Sequence, residues 1–266
     1  MSISSTNGSA SVALDRPTPA QARKLARIGG VLYILTFVAS IPAVLLYDPL
    51  LNHAGYILGA GHDTRIQLGA FLEIVLVIAN IGTALAFFPV LKRQSESLAL
   101  GYVASRIVES TIIAVGVVSV LSVLTLQQDV GGPGAADAAS LTVAGRSLVA
   151  VHDWTFLLGP GLCAGFGNGL VLGYLMYRSG LVPRRMALIG LIGGPLCFAS
   201  GIGVLFGLYD DGTGIKFALT FPEIVWEASL GIYLTVKGFR ASPGFFDDTP
   251  QPAVHNDAPV HAVSAQ

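Results

Sequence analysis

Residues 28–47 of the chain read IGGVLYILTFVASIPAVLLY, twenty residues that contain no charged side chain. A helix rises about 1.5 Å per residue, so this run would be about 30 Å long and would match the hydrocarbon core of a bilayer. The apolar region of a cleaved signal peptide is shorter, at about 7–15 residues. We therefore predict a retained transmembrane helix over these residues.

Five further runs of similar length and composition follow along the chain. They are Ile66–Leu91, Leu98–Leu126, Leu148–Tyr177, Met186–Tyr209 and Phe217–Val236. The six runs together hold 149 residues and six charges, whereas the other 117 residues hold 25 charges. A soluble helical bundle would carry charge along one face of every helix. The pattern predicts an all-α, polytopic integral membrane protein in which six transmembrane helices form one bundle.

The overall composition excludes several other classes of protein. Of the 266 residues, 53% are hydrophobic and 12% are charged, whereas soluble domains carry about 25% charged residues. The net charge of -1 lacks the basic excess of a nucleic-acid-binding protein. Two cysteines are too few for a disulfide scaffold. The predicted partner is the lipid bilayer, and the sequence indicates no nucleic acid and no particular protein partner.

The Lys and Arg residues between the runs predict the orientation of the helices. If six helices alternate in direction, eleven of these residues fall on one side of the membrane: Arg16, Arg23, Lys24, Arg27, Lys92, Arg93, Arg178, Arg184, Arg185, Lys237 and Arg240. The opposite side receives only Arg65, Arg146 and Lys216. Because basic connections stay in the cytoplasm, we predict a plasma-membrane protein with both termini cytoplasmic.

The ends of the chain differ in composition from its centre. Residues 1–27 predict a cytoplasmic tail that is disordered and basic, in which Pro19–Arg27 could form a short helix on the inner leaflet. Residues 239–266 contain four prolines and predict a second disordered cytoplasmic tail. Residues 28–238 between them form the predicted six-helix domain. Its outer connection at 127–146 contains GGPG at 131–134 and predicts a flexible loop.

The fourth and fifth runs carry glycines at a regular spacing of four. Those of the fourth run are Gly161, Gly165, Gly169 and Gly173, and the fifth run has Gly190 and Gly194. Residues four apart share one face of a helix, and small residues there let two helices approach closely. We predict a tight contact between the fourth helix and a neighbour, with the fifth as the expected partner.

Ionisable residues inside the predicted spans are the candidate site. A charge at the bilayer centre costs about 2.5–3.5 kcal/mol on insertion scales, so such groups pair, become neutral or face water. Asn80 lies two helical turns from Glu73 on the same face. We predict that the intramembrane polar residues form one cluster that faces an outward-open cavity: Glu73, Arg106, Glu109, His152, Asp153, Glu223 and Glu227.

Sequence spacing suggests two pairings within this cluster. Arg106 and Glu109 are three residues apart and can form an ion pair on one helix. Glu223 and Glu227 are four residues apart and are expected to share one helical face.

Three functions stay open at this point. The cluster could bind or transport a cation, a proton or a small polar solute. It could instead be a purely structural latch in a structural or regulatory membrane subunit, or a metal centre of an intramembrane enzyme built on His152, Asp153 and the glutamates. No Gly-x-Ser-x-Gly or His-Glu-x-x-His motif is present, and no cofactor is predicted.

Three stretches together resemble a bacterial integral-membrane family known as domain of unknown function 4386. They are LALGYVASRIVESTI at Leu98–Ile112, GYLMYRSGLVPR at Gly173–Arg184 and WEASLGIYLTVKG at Trp226–Gly238. The resemblance runs from about Arg27 to Gly238 and implies a helical membrane fold. In the family pattern a Gly follows shortly after the Pro-Arg pair, where this chain has Ala187. The resemblance implies no activity and no catalytic residues.

Overall fold

A computed structural model describes residues 17–53, 55–59, 63–130 and 137–240 of the chain. Within these ranges the regular structure is entirely helical. The α-helices are α1 (Pro19–Asn52), α2 (Thr64–Leu91), α3 (Glu96–Val130), α4 (Ala138–Phe156), α5 (Gly173–Ser179), α6 (Arg184–Leu205) and α7 (Gly214–Lys237). A short 3-10 helix, Tyr56–Leu58, lies between α1 and α2.

Helices α4 and α5 are parts of one continuous helix. Two π-helical segments, Leu157–Cys163 and Gly165–Leu172, join them. We call the whole element, Ala138–Ser179, the α4–α5 helix. Its π-helical part contains five glycines and Pro160, which lacks a backbone N–H and so cannot donate to the preceding turn. Segments of π-helix are rare and frequently occur at functional sites.

Five helices are long and apolar enough to cross a membrane, namely α1, α2, α3, the α4–α5 helix and α6. The described residues confirm the predicted all-helical fold, and the five apolar helices are compatible with a membrane protein. Helix α7 has 24 residues and is long enough, but it is not among the five. Its apolar stretch is interrupted by Glu223 and Glu227, which lower its mean hydropathy.

The helices form a closed ring in chain order. Each long helix packs against the next one, and α7 returns to pack against α1. The fully buried core at one end of the ring includes Tyr33 of α1, Phe87 of α2, Tyr102 of α3 and Trp226 of α7. A second buried cluster at the other end of α1 contains Tyr47 and Leu50. The two clusters leave room between them at the middle of the bundle.

Both ends of the predicted membrane domain differ from expectation. The basic segment Pro19–Arg27 forms the first turns of α1 rather than a separate surface helix, because Thr18 caps α1 and shares a reciprocal capping box with Gln21. Phe239, predicted to begin the disordered tail, is buried against Phe87, with 5.8 Å between ring centroids. The flexible loop predicted at 127–146 is wrong for most of its length, because residues 127–130 end α3 and residues 138–146 begin α4. Residues 131–136 of that loop, and the predicted disorder of residues 1–16 and 241–266, lie outside the described residues.

The predicted glycine contact between the fourth and fifth spans is confirmed. A Cβ atom on Gly165 would lie 2.8 Å from the Gly194 carbonyl oxygen, and one on Gly169 would overlap the Gly194 backbone. A Cβ atom on Gly173 would lie 3.4 Å from the Gly190 carbonyl carbon. Gly161 makes no such contact with α6. The absence of side chains at these positions lets the π-helical segment and α6 touch through their backbones.

Candidate functional site

A cavity of about 360 Å³ lies near the middle of the bundle. Helix α1 supplies one wall, α2 and α3 the opposite one, and the first π-helical segment and α7 complete it. The lining residues are Thr36, Phe37, Ser40, Ile41, Val44, Leu45, Glu73, Leu76, Asn80, Arg106, Glu109, Ile113, Phe156, Pro160, Ala164 and Glu227. Ligand pockets of this size are typically apolar with a few converging polar groups, and this cavity has that composition.

A buried ion pair lies on the α3 side of the cavity. The Arg106 Nη1 atom donates to Glu109 Oε2 at 2.7 Å, which confirms the predicted pairing within α3. Arg106 also donates through Nη2 to the Asn80 side-chain oxygen, and Asn80 Nδ2 donates to Glu109 Oε1 at 3.3 Å. The Arg106 side chain is only 2% exposed. Glu109 therefore already balances the charge of Arg106.

Glu227 faces the cavity from α7. Its Oε1 atom accepts hydrogen bonds from Asn168 Nδ2 at 2.6 Å and from the Tyr33 hydroxyl at 3.4 Å. The Asn168 carbonyl oxygen accepts a hydrogen bond from Trp226 Nε1 at 2.9 Å, which ties the π-helical segment to α7. The other carboxyl oxygen of Glu227 has no hydrogen-bond partner among residues 17–53, 55–59, 63–130 and 137–240. It is free to bind a ligand in the cavity.

Glu73 faces the cavity from α2 and is 4% exposed. Its Oε2 atom accepts a hydrogen bond from the Tyr47 hydroxyl at 3.0 Å. Its Oε1 atom has no partner in the described part of the chain. Glu73 is thus a buried carboxyl group in which the protein donates a hydrogen bond to one oxygen and leaves the other oxygen for a ligand.

The charges around the cavity do not cancel. Arg106 is the basic residue of its lining, and its partner is Glu109. Glu73 and Glu227 form no ion pair with any described residue. The cavity therefore contains two carboxyl groups with free oxygens, and it can accept hydrogen bonds from a bound cation or a neutral donor.

Glu223 was predicted to belong to the same cluster, but it is not among the residues that line this cavity. It is buried at 2% exposure, but it packs between α7 and the glycine contact of the π-helical segment with α6. A Cβ atom on Gly169 would lie 2.5 Å from Glu223 Oε2. Four residues on an α-helix span about 400°, so Glu223 and Glu227 differ by about 40° in direction. This rotation, and the space at Gly169, place Glu223 at the helix contact rather than in the cavity lining.

Neither Glu223 oxygen has a hydrogen-bond partner in the described part of the chain. The Thr220 hydroxyl, one turn away on α7, is also buried without a partner there.

His152 and Asp153 lie in the last turns of α4, about one turn before Phe156, but neither lines the cavity. The His152 ring is buried and packs edge-on against Tyr47, with 5.5 Å between centroids. His152 and Glu73 share a small void of about 10 Å³, which is room for about one water molecule. The Asp153 side chain is 64% exposed and lies 3.8 Å from His152 Nδ1. Neither of these two residues, which were predicted for the outward-open cavity, lines the central cavity, and Tyr47 packs against His152.

Asp153 belongs instead to a second pocket of about 370 Å³. This outer pocket is lined by the end of α1, the 3-10 helix and α4, and it contains His53, Tyr56 and Arg146. The Tyr56 hydroxyl donates to Asp63 Oδ2 at 2.7 Å. Burial and this hydrogen bond raise the pKa of Tyr56, so its hydroxyl stays a neutral donor.

Three residues of the site were not predicted from the sequence: Asn168, Tyr33 and Tyr47. Asn168 could have been predicted from the sequence, since it is the one polar amide within the glycine-rich run of the fourth span. The two tyrosines could not have been predicted from the sequence, because tyrosine is common in membrane helices, where it usually marks the interfaces. Their hydroxyls bind Glu227 and Glu73 only because the bundle brings α1 against α2 and α7.

The arrangement of possible metal ligands is sparse. In the described ranges no group of three or more His, Cys, Asp or Glu side chains is placed to hold a metal ion. Cys163 and Cys197 are free thiols.

Comparison with known proteins places the chain in a family. The family model described as domain of unknown function (DUF4386) matches residues 28–238. The chain belongs to this family. The DUF4386 match includes every residue that lines the central cavity. No curated protein and no solved structure matches the chain.

Proposed function

We propose that this protein is a multi-pass plasma-membrane protein whose central cavity binds a cation or a small cationic solute. The observation that carries the proposal is the uncompensated pair of carboxyl groups in the cavity. Arg106 is engaged by Glu109 and Asn80, whereas Glu73 and Glu227 keep one free oxygen each. Ionisable groups inside a membrane protein mark ligand or ion sites by default.

We further propose that α7 is a sixth span and that both termini are cytoplasmic. Helix α7 packs between α1 and α6, which both qualify as spans. A Cβ atom on Gly30 would meet the Thr235 backbone, and one on Gly238 would meet Arg23. The start of α1 therefore lies beside the end of α7, as six alternating helices require. The excess of Lys and Arg at this end of the bundle supports a cytoplasmic location.

The topology predicts a pattern of cysteine labelling in intact cells. In a background with Cys163 and Cys197 replaced by serine, Asn52→Cys and Asp211→Cys should react with an impermeant maleimide from outside. Ser97→Cys and Arg240→Cys should react only after the cells are permeabilised. External labelling of Arg240→Cys together with Asp211→Cys would show that α7 does not cross the membrane.

Cation binding predicts ligand-dependent stabilisation of the purified protein in lipid nanodiscs. Thermal unfolding would be measured with methylammonium, Na⁺, K⁺ and Mg²⁺ in turn. A cation present at 100 times its dissociation constant should raise the free energy of unfolding by about 2.7 kcal/mol. Glu73→Gln and Glu227→Gln should each weaken binding by about tenfold or more, since each removes a charge-assisted hydrogen bond.

Glu223→Gln is the matched control for this experiment. It removes a buried acid from α7 that does not line the cavity, so it should leave binding unchanged. Equal binding by all three variants would contradict the assignment of the site, and no stabilisation by any cation would contradict the function.

One observation favours a second candidate, a structural or regulatory membrane subunit. Arg106, Glu109 and Asn80 bind one another and join α2 to α3 without any ligand, and only Nε of Arg106 lacks a partner among them in the described part of the chain. Such a subunit would depend on Arg106 for stability and bind no cation. The same nanodisc experiment separates the two functions.

A further inference from the structure

The central cavity is open along one edge, and that edge is apolar. Ile41, Val44 and Leu45 of α1 line the cavity and are 58%, 38% and 65% exposed. Phe156 and Pro160 of the α4–α5 helix line it on the facing side. The opening therefore lies along α1, at the exposed side chains of Ile41, Val44 and Leu45.

The opening lies at membrane depth rather than at the end of the bundle. Ile41 and Leu45 are eleven and seven residues before the end of α1 at Asn52, which corresponds to about 16 and 10 Å. Both belong to the apolar run at 28–47, whose length matches the hydrocarbon core. The exposed edge of the cavity therefore faces acyl chains.

The aqueous routes along the bundle axis are closed. Toward the outer pocket, the fully buried Tyr47 packs against His152, and only the void of about 10 Å³ lies beside them. Toward the other end, Tyr33 and Tyr102 belong to a core with no exposed surface. Among the described residues, the apolar edge is thus the open way into the cavity.

We propose that the ligand of the cavity is a hydrophobic amine, an apolar chain or ring that carries one ammonium group, and that it reaches the cavity from the bilayer. This inference rests on the proposed cation site and specifies its ligand. The ammonium would bind inside the cavity, whose lining carries the free oxygens of Glu73 and Glu227, and the apolar part would lie against Leu76, Ile113 and Phe156. An ammonium has three donors and no acceptor, which suits an all-acceptor site.

The test uses protein in nanodiscs of neutral lipid and radiolabelled octylamine, with empty nanodiscs to subtract partitioning into lipid. Octanol and octanoate are the matched neutral and anionic probes of the same chain length, and methylammonium is the head group alone. Octylamine should bind saturably and at least about tenfold more tightly than octanol, octanoate or methylammonium. Glu73→Gln and Glu227→Gln should each weaken octylamine binding by about tenfold or more.

Two variants of α1 test the lateral route. Val44→Trp fills the opening and should abolish or strongly slow octylamine binding. Val38→Trp is the control, because Val38 is exposed on the same helix but does not line the cavity, and it should bind octylamine as the wild type does.

The outcomes separate the two proposals. Methylammonium binding as tight as octylamine binding, with Val44→Trp unaffected, would overturn the hydrophobic amine and leave the cation site in place. Octanol or octanoate binding as tight as octylamine binding would show that the ammonium charge is not needed for binding, which would overturn both the cation site and the hydrophobic amine. If neither amine binds, the hydrophobic amine is overturned, and the cation site is overturned as well if Na⁺, K⁺ and Mg²⁺ also fail to stabilise the protein.

Discussion

Replacement of Arg106 by leucine is expected to lower the free energy of unfolding by about 3–5 kcal/mol, the usual cost of removing one partner from a buried ion pair. The change would leave Glu109 without its 2.7 Å partner and Asn80 without its donor, both out of contact with water. A domain is usually stable by only about 5–15 kcal/mol. Thermal and denaturant unfolding in nanodiscs would measure the effect.

Two controls accompany the Arg106 variant. Arg185→Leu removes an exposed arginine at the start of α6 and should change stability by less than about 0.5 kcal/mol. The double variant Arg106→Leu with Glu109→Leu should recover part of the loss, because it leaves no unpaired charge. An unchanged melting temperature for Arg106→Leu alone would rule out the buried pair as a stabilising element.

Gly169→Ala is expected to have the second largest effect, a loss of about 3 kcal/mol, at the upper end of the usual cost of overpacking. The new methyl group would overlap the Gly194 backbone and lie 2.5 Å from the Glu223 carboxyl group. Backbone atoms of two packed helices cannot move aside as a flexible side chain can, so the π-helical segment and α6 would have to separate. Equilibrium unfolding would again give the magnitude.

Gly101→Ala is the matched control for the glycine contact. A Cβ atom on Gly101 would meet no atom within 4 Å, and alanine in a helix interior is favoured over glycine by roughly 0.5–1 kcal/mol. This variant should therefore be as stable as the wild type or slightly more stable. Equal behaviour of Gly101→Ala and Gly169→Ala would contradict the close backbone contact.

The membrane fold could be predicted because its signal is local. Twenty uncharged residues at 28–47 predict a span without any knowledge of neighbours, and α1 contains that run within Pro19–Asn52. The ion pair of Arg106 with Glu109 was also predictable, since a spacing of three places both side chains on one face of α3. The contact of the glycine stripe with α6 follows from the same kind of periodicity.

The composition of the cavity could not be predicted in the same way. Glu223 and Glu227 share a helix and a spacing typical of one face, yet only Glu227 lines the cavity. The difference depends on Gly169 and Gly193, which are remote in sequence and leave space for Glu223 at a helix contact. His152 was predicted to line an open cavity, but Tyr47 of α1 packs against it and closes that route.

The amino-acid sequence by itself determined that this protein is helical, that several of its helices are long and apolar enough to cross a membrane, and which ionisable residues lie within its apolar runs. Apolar length and helical periodicity act within one segment, so they can be read without the rest of the chain. Only the tertiary structure decided which carboxyl groups are already satisfied, where the cavity opens, and which residues close it. Those properties depend on contacts between helices, and a one-residue rotation of about 100° moves a side chain from the cavity to a helix contact or to lipid.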